Sequence, residues 1–137
     1  MTTTTPTAPT TPTAPTAPTA ATARELPATF YRLVDAGDLD GLAALFSADA
    51  RYVRPGYPEL RGRAEIDHFY RHDRVIRTGR HTLDSVAADG DRLAVCGSFQ
   101  GELRDGAPVR HRFAEFFHLD PDGRIDHRET FFAVAHV

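Results

Sequence analysis

The sequence predicts an α+β domain, on three observations. Apolar residues recur at helical spacing through the first half, the period then changes to two, and Gly-Asp turns punctuate the remainder. Ahead of the domain, residues 1–22 (MTTTTPTAPTTPTAPTAPTAAT) repeat a loose Thr-Pro-Ala unit with no charged and no large apolar side chain. Such a segment cannot offset its ordering entropy by burial, so it is expected to be a disordered, partly polyproline-II tail. The folded domain is therefore expected over 23–137, enough chain for one core.

Each element has its own signal. ELPATFYRLVDAG (25–37) carries Pro27 near its start, Leu26, Phe30, Leu33 and Val34 at helical spacing, and Gly37 as a stop. DLDGLAALF (38–46) predicts a short second helix capped by Asp38 or Asp40. ARYVRP (50–55) reads as a first strand that proline ends, with Arg54 at its exit. GRAEIDHFYRHDRVIRTG (62–79) predicts a third helix with Ile66, Phe69, Tyr70 and Val75 or Ile76 inward and Gly79 at its end.

Alternation then takes over. RHTLDSVAADGD (80–91) is a strand running into a turn. In 91–103, Leu93, Val95, Phe99 and Leu103 share one face, and Ala94, Cys96, Ser98, Gln100 and Glu102 the other. PVRHRFAEFFHL (108–119), the DPDG turn and RIDHRETFFAVAHV complete an antiparallel meander. A curved sheet over helices encloses a cone, and in a domain this small a cone holds a pocket.

Composition excludes several classes. A net charge of −3 with dispersed arginines argues against a nucleic-acid footprint. No stretch reaches the length of a membrane span, and the tail has neither the basic start nor the apolar run of a signal peptide. The single cysteine, Cys96, forbids an internal disulfide, so the expected location is the cytoplasm. All basic residues apart from histidine are arginine, which fits GC-rich codon usage better than a binding signal. There is no phosphate loop, nucleophile elbow or Cys/His dyad, and no cofactor is implied. His68 and His72 stand four apart, but they fall on the exposed edge of the third helix without a third ligand, so no metal is expected.

Four segments together resemble the nuclear-transport-factor-2-like superfamily: AGDLDGLAALFSADARYV (36–53), GRAEIDHFY (62–70), DGDRLAV (89–95) and DPDGRIDHRETFF (120–132). Within it the chain is most similar to SnoaL-like and ketosteroid-isomerase-like proteins. The resemblance implies a cone-shaped fold, three N-terminal helices packed on a curved antiparallel sheet around a pocket, and homodimerisation through the outer sheet face, where Ala94, Cys96, Ser98 and Gln100 are compatible with it. Ketosteroid isomerases use a helix-1 tyrosine as oxyanion donor, an aspartate ending the first strand as base, and a protonated acid on the later sheet. Here those positions hold Phe30 (with Tyr31 one step round), Arg54 and Glu115, while Tyr70 matches a supporting tyrosine. Base and main phenol are both missing, so that mechanism is not expected. Epoxide-hydrolase-like members offer a partial match through Glu129 and Tyr52, but Arg54 replaces their asparagine.

The candidate catalytic residues are Glu115, Glu129 and Arg54. Glu115 shares a face with His111, Phe113 and Phe117, where desolvation would tune a carboxyl for proton transfer. Arg54 either pairs permanently with Glu115 or stays free to grip an anionic or carbonyl oxygen. On the last strand His127, Glu129 and Phe131 are expected inward; the alternative turns Asp126, Arg128 and Thr130 in. Tyr52, Tyr57, Tyr70, His81, His111, Phe113 and His127 are the candidate substrate contacts. The function expected is acid/base chemistry on an apolar, oxygenated, polyketide-like small molecule: cyclisation, isomerisation or dehydration. A non-catalytic ligand-binding or dimerisation module, and an epoxide hydrolase with a rearranged triad, remain alternatives.

Overall fold

The computed structural model describes residues 7–9 and 20–135. The expected tail lies largely outside the described residues, and its last three residues belong to the first helix. Helix α1 spans Ala20–Ala36, beginning ahead of the expected residue 25, so Pro27 sits inside the helix rather than near its start. Its ring is fully buried. Gly37 ends the helix with φ +69°, its N–H reaching Val34 O (3.1 Å) while Asp38 N–H reaches Leu33 O (3.0 Å). This left-handed cap closes the last carbonyls, a geometry glycine adopts without strain. Helix α2 (Leu39–Ala44) follows, with Gly41 N–H donating to Asp38 Oδ1 at 3.0 Å.

Strands β1 (Phe46–Val53) and β2 (Leu60–Arg61) precede helix α3 (Arg63–His68), which widens into a π-helical turn over Phe69–Asp73. The third helix therefore does not run to residue 79. Arg74 N–H closes the wide turn on Phe69 O (2.9 Å), and Arg74 is already extended (φ −63°, ψ 124°). The extra residue of the wide turn points both Phe69 and Tyr70 into the core. Val75 is exposed and its carbonyl accepts from Arg104 N–H (2.8 Å), so the chain is captured by the sheet, not by a further helical turn.

Four long strands complete the domain: β3 (Ile76–Asp89), β4 (Arg92–Leu103), β5 (Pro108–Leu119) and β6 (Ile125–Phe132). The sheet order is β2-β1-β6-β5-β4-β3, with β1 parallel to β6 and every other pairing antiparallel. Gly79, expected to stop a helix, lies instead within β3, where a Cβ would stand 2.2 Å from Phe99 Cζ. Its missing side chain lets the Phe99 ring lie flat across the strand. Burial alternates along β4 as expected: Leu93, Val95 and Phe99 are buried, while Ala94, Cys96 and Ser98 are partly covered on the other face. Phe30, Phe46, Tyr52, Phe69, Phe99 and Phe117 fill the space between sheet and helices, and α1 packs chiefly across β3.

Candidate functional site

Strand register decides which charges enter the core. In β5 and β6, Glu115 stands opposite Thr130 and Phe117 opposite Arg128, and opposed residues share a face. Arg128 and Thr130 are therefore buried, whereas Glu129 and His127 lie on the outer face beside Phe116 and His118. The inward placement expected for Glu129 and His127 is corrected. An inward Glu129 would have set a second carboxylate beside Glu115; an inward Arg128 neutralises it. Phe132 turns in to His111 (ring centroids 4.6 Å), while Phe131 turns out to Phe116 (5.9 Å).

Glu115 gives both oxygens to Arg128: Nη2 donates to Oε1 at 2.8 Å, and Nε donates to Oε2. Arg128 Nη1 donates to the Tyr70 hydroxyl at 2.6 Å. The guanidinium is sandwiched between the rings of Phe30 (4.4 Å) and Tyr52 (4.2 Å). Phe30 thus uses the helix-1 position as a stacking platform instead of an oxyanion donor. Burial works against the charge on Arg128, but the Glu115 carboxylate together with the Tyr52 and Tyr70 hydroxyls outweighs it, and the pKa stands well above the ordinary arginine value. Tyr52 closes the network, its hydroxyl 3.0 Å from Thr130 Oγ1, and burial pushes its phenol up to about 12.

Arg54 does not pair with Glu115. It leaves β1 just after Val53 and rests on the rings of Phe69 (5.1 Å), Tyr57 (5.2 Å) and Phe132 (5.7 Å). Its Nε is buried and makes no hydrogen bond, and no carboxylate among the described residues forms a salt bridge with it.

The third component is a histidine held by a carboxylate. Asp35, near the end of α1, accepts from His81 N–H at 2.9 Å through Oδ2 and meets His81 Nδ1 at 2.6 Å through Oδ1. In neutral His81 this contact puts the proton on Nδ1 and the lone pair on Nε2. The imidazole packs among Tyr31 (4.7 Å), Phe99 (4.7 Å) and Phe113 (5.5 Å). Burial lowers its pKa, opposed by the bond to Asp35. His111 lies across Phe99 on the next strand, with its own Nδ1 buried and unbonded, and burial lowers its pKa too. The Tyr31 hydroxyl is also buried without a completed hydrogen bond; burial first, and the nearby Glu115 charge second, raise its pKa.

His81, His111, Arg54 and the Glu115–Arg128 pair border a cavity of about 30 Å³, room for one or two water molecules. Its wall includes Tyr52, Arg54, Tyr70, Arg74, His81, His111, Phe113, Glu115 and Arg128. A groove of about 600 Å³ adjoins it, sharing Val34, Tyr70, Arg74, Ile76 and Phe99. Seven of the sequence-derived candidates thus meet at the cavity: Tyr52, Arg54, Tyr70, His81, His111, Phe113 and Glu115. Tyr57 packs against Arg54 without lining it. Sequence reasoning missed Asp35, Arg74 and Tyr31, and treated Arg128 only as the alternative register. Asp35 carried a usable signal, since it falls one turn beyond Tyr31 on a helix whose inner stripe was already assigned. Among the described residues no cluster of three or more histidine, cysteine, aspartate or glutamate side chains could hold a metal ion, and His68 and His72 are exposed.

The model of the SnoaL-like domain matches residues 28–128. The chain belongs to the SnoaL-like family. Solved structures agree on the NTF2-like fold. An NTF2-like protein of unknown function from Burkholderia pseudomallei superposes with a TM-score of 0.73 at 22% identity, over 81% of this chain and 90% of that one. SalBIII, an epoxide hydrolase/cyclase-like enzyme in pyran ring formation of the polyether salinomycin, gives 0.72 at 22% identity, over 82% and 91%. An epoxide hydrolase of the LEH-like type from M. tuberculosis gives 0.71 at 20% identity, over 81% and 82%. No curated protein has significant sequence similarity to this SnoaL-like chain.

Proposed function

We propose that this SnoaL-like protein is a small-molecule acid/base enzyme that cyclises, isomerises or dehydrates an apolar, oxygenated, polyketide-like substrate. The observation that carries the reading is His81, held from behind by Asp35, on the wall of a cavity that also receives the unbonded Arg54. A carboxylate-held imidazole with a free Nε2 takes a proton from carbon or oxygen; an arginine across the cavity stabilises the oxyanion that results. His111, on the same cavity wall, is the group available to return the proton. Tyr52, Tyr70 and Phe113 shape the cavity.

Glu115 takes a different part from the one its sequence position suggested. With both oxygens on Arg128 it anchors the floor of the cavity and adds negative charge near Tyr31. Glu129 has no part, because it faces away, and an epoxide-opening triad built on it loses its support. SalBIII, described as epoxide hydrolase/cyclase-like and of the same fold, supports the cyclisation branch of this reading. We further propose that the protein works as a cytoplasmic homodimer through the outer sheet face, where Phe116 and Phe131 are exposed beside the strip of Ala94, Cys96 and Ser98.

A second reading is a non-catalytic ligand-binding module, favoured by the small cavity and by the saturated Glu115. One experiment separates the two. Incubating the protein with aromatic polyketide-type ketones in D2O and following α-carbon deuteration by NMR detects proton abstraction without knowledge of the product. Acceleration over buffer that falls by about 10²–10⁴ in His81→Gln supports the enzyme. No acceleration with any ketone favours the binding module, and an acceleration unchanged in His81→Gln takes the base role from His81.

A further inference from the structure

The cavity and its adjoining groove carry more positive charge than their own carboxylates balance. Arg128 is neutralised by Glu115, and Asp35 stands behind His81. Two guanidinium groups remain. Arg54 lies on one side, with a buried, unbonded Nε. Arg74 lies where cavity and groove meet, its side chain over the Tyr70 ring at 5.6 Å. Neither has a carboxylate within salt-bridge distance among the described residues. Both line the same small cavity, and burial first, with the like charges of Arg54 and Arg128 adding to it, lowers the pKa of Arg74.

Other arginines at the groove are accounted for. Arg71 bonds Asp67 and Asp40, Arg77 bonds Glu102, and Arg104 Nε donates to the Arg74 carbonyl at 2.8 Å. Of the arginines that line cavity and groove, Arg54 and Arg74 are thus the two whose side chains have no hydrogen-bond acceptor among the described residues. Like charges held together in a partly dry site are a standing electrostatic cost, which one bound anion removes.

We infer that the ligand enters already bearing an anionic group, a carboxylate or an acidic enol or phenol, held between Arg54 and Arg74. A neutral carbonyl compound would acquire its negative charge only during reaction and would leave the two positive charges uncompensated on binding. The apolar body of the ligand then lies against Val34, Ile76 and Phe99 in the groove, with the charged end at the cavity. This rests on the cavity being the working site, as proposed above, and it narrows the substrate class to organic acids.

The test uses matched pairs: benzoate with benzamide, and 2-naphthoate with 2-naphthamide. Each is titrated into the full chain while the arginine Nε–H resonances are followed by NMR. The acids are expected to shift the Arg54 and Arg74 signals and to bind at least about tenfold tighter than the amides, as charge-assisted bonding requires. Arg54→Gln and Arg74→Gln each reduce the acid affinity, whereas Arg110→Gln on the outer face leaves it alone. Should either variant fail to fold, the acid-to-amide ratio in the unaltered protein decides by itself. Equal response to acid and amide, or no response at Arg54 and Arg74 up to tens of millimolar acid, overturns the inference. Binding of the acids without deuteration of any ketone that itself carries a carboxylate would sink the acid/base reading and leave this one standing.

Discussion

Arg54 and Glu115 line the same cavity without bonding to each other, because Glu115 gives both its oxygens to Arg128. That division of labour separates a structural charge from a working one. Arg128 is sealed between aromatic rings, while Arg54 keeps an unspent donor at the cavity wall.

Breaking the sealed pair should be costly from one side and tolerable from both. Arg128→Met leaves Glu115 as an uncompensated buried charge and is expected to lower stability by about 3–5 kcal/mol. Adding Glu115→Leu in the same chain is expected to recover most of that loss. Urea unfolding of the two variants checks it, and a loss below about 1 kcal/mol in the single variant would contradict a buried pair.

Stability should fall on the acid side of neutrality. His81 and His111 both have pKa values lowered by burial, so the unfolded chain binds more protons than the folded one below the ordinary histidine value of about 6.5. Their contribution is present in full above that pH and is lost as pH drops through the lowered folded values. Replacing both with glutamine should flatten the slope of unfolding free energy against pH in that window. An unchanged slope would mean that neither ring is kept neutral by the fold.

Gly79→Ala should be among the more damaging small substitutions. The new methyl would sit 2.2 Å from Phe99 Cζ and 2.9 Å from Gln100 O, so the ring must leave its place. A loss of roughly 1–3 kcal/mol is expected, with partial rescue by Phe99→Leu. Thermal unfolding of the single and double variants reads this directly.

Glu129→Gln should leave ligand binding and turnover as they are, because its carboxylate faces away from the cavity. Asp35→Asn should instead act through His81. It is expected to lower turnover and to shift the acid limb of the pH–rate profile, while affinity for ligand changes little. A loss in Glu129→Gln equal to that in Asp35→Asn would return the last strand's outer face to the mechanism.

Much of the fold was legible because its signals were strongly periodic. Leu93, Val95 and Phe99 alternate without interruption, and β5 runs over the residues expected, Pro108–Leu119. The third helix was misjudged because Val75 and Ile76 continue the apolar spacing of Ile66 and Tyr70, so the pattern offers no stop where the sheet takes over. The last strand was misread for a related reason. Phe131 and Phe132 are equally apolar, and a one-residue choice between them exchanges Arg128 for Glu129 across the sheet. What settled the choice physically was a charge partner thirteen positions away in β5, which no local pattern encodes.

The aromatic bed under Arg54 joins three stretches of chain that are otherwise distant. Tyr57 comes from the loop after β1, Phe69 from the widened turn of α3, and Phe132 from the last residue of β6. A ligand that pulls on this one guanidinium would tension all three at once, so occupancy should register as slower amide exchange at sites dispersed along the sequence.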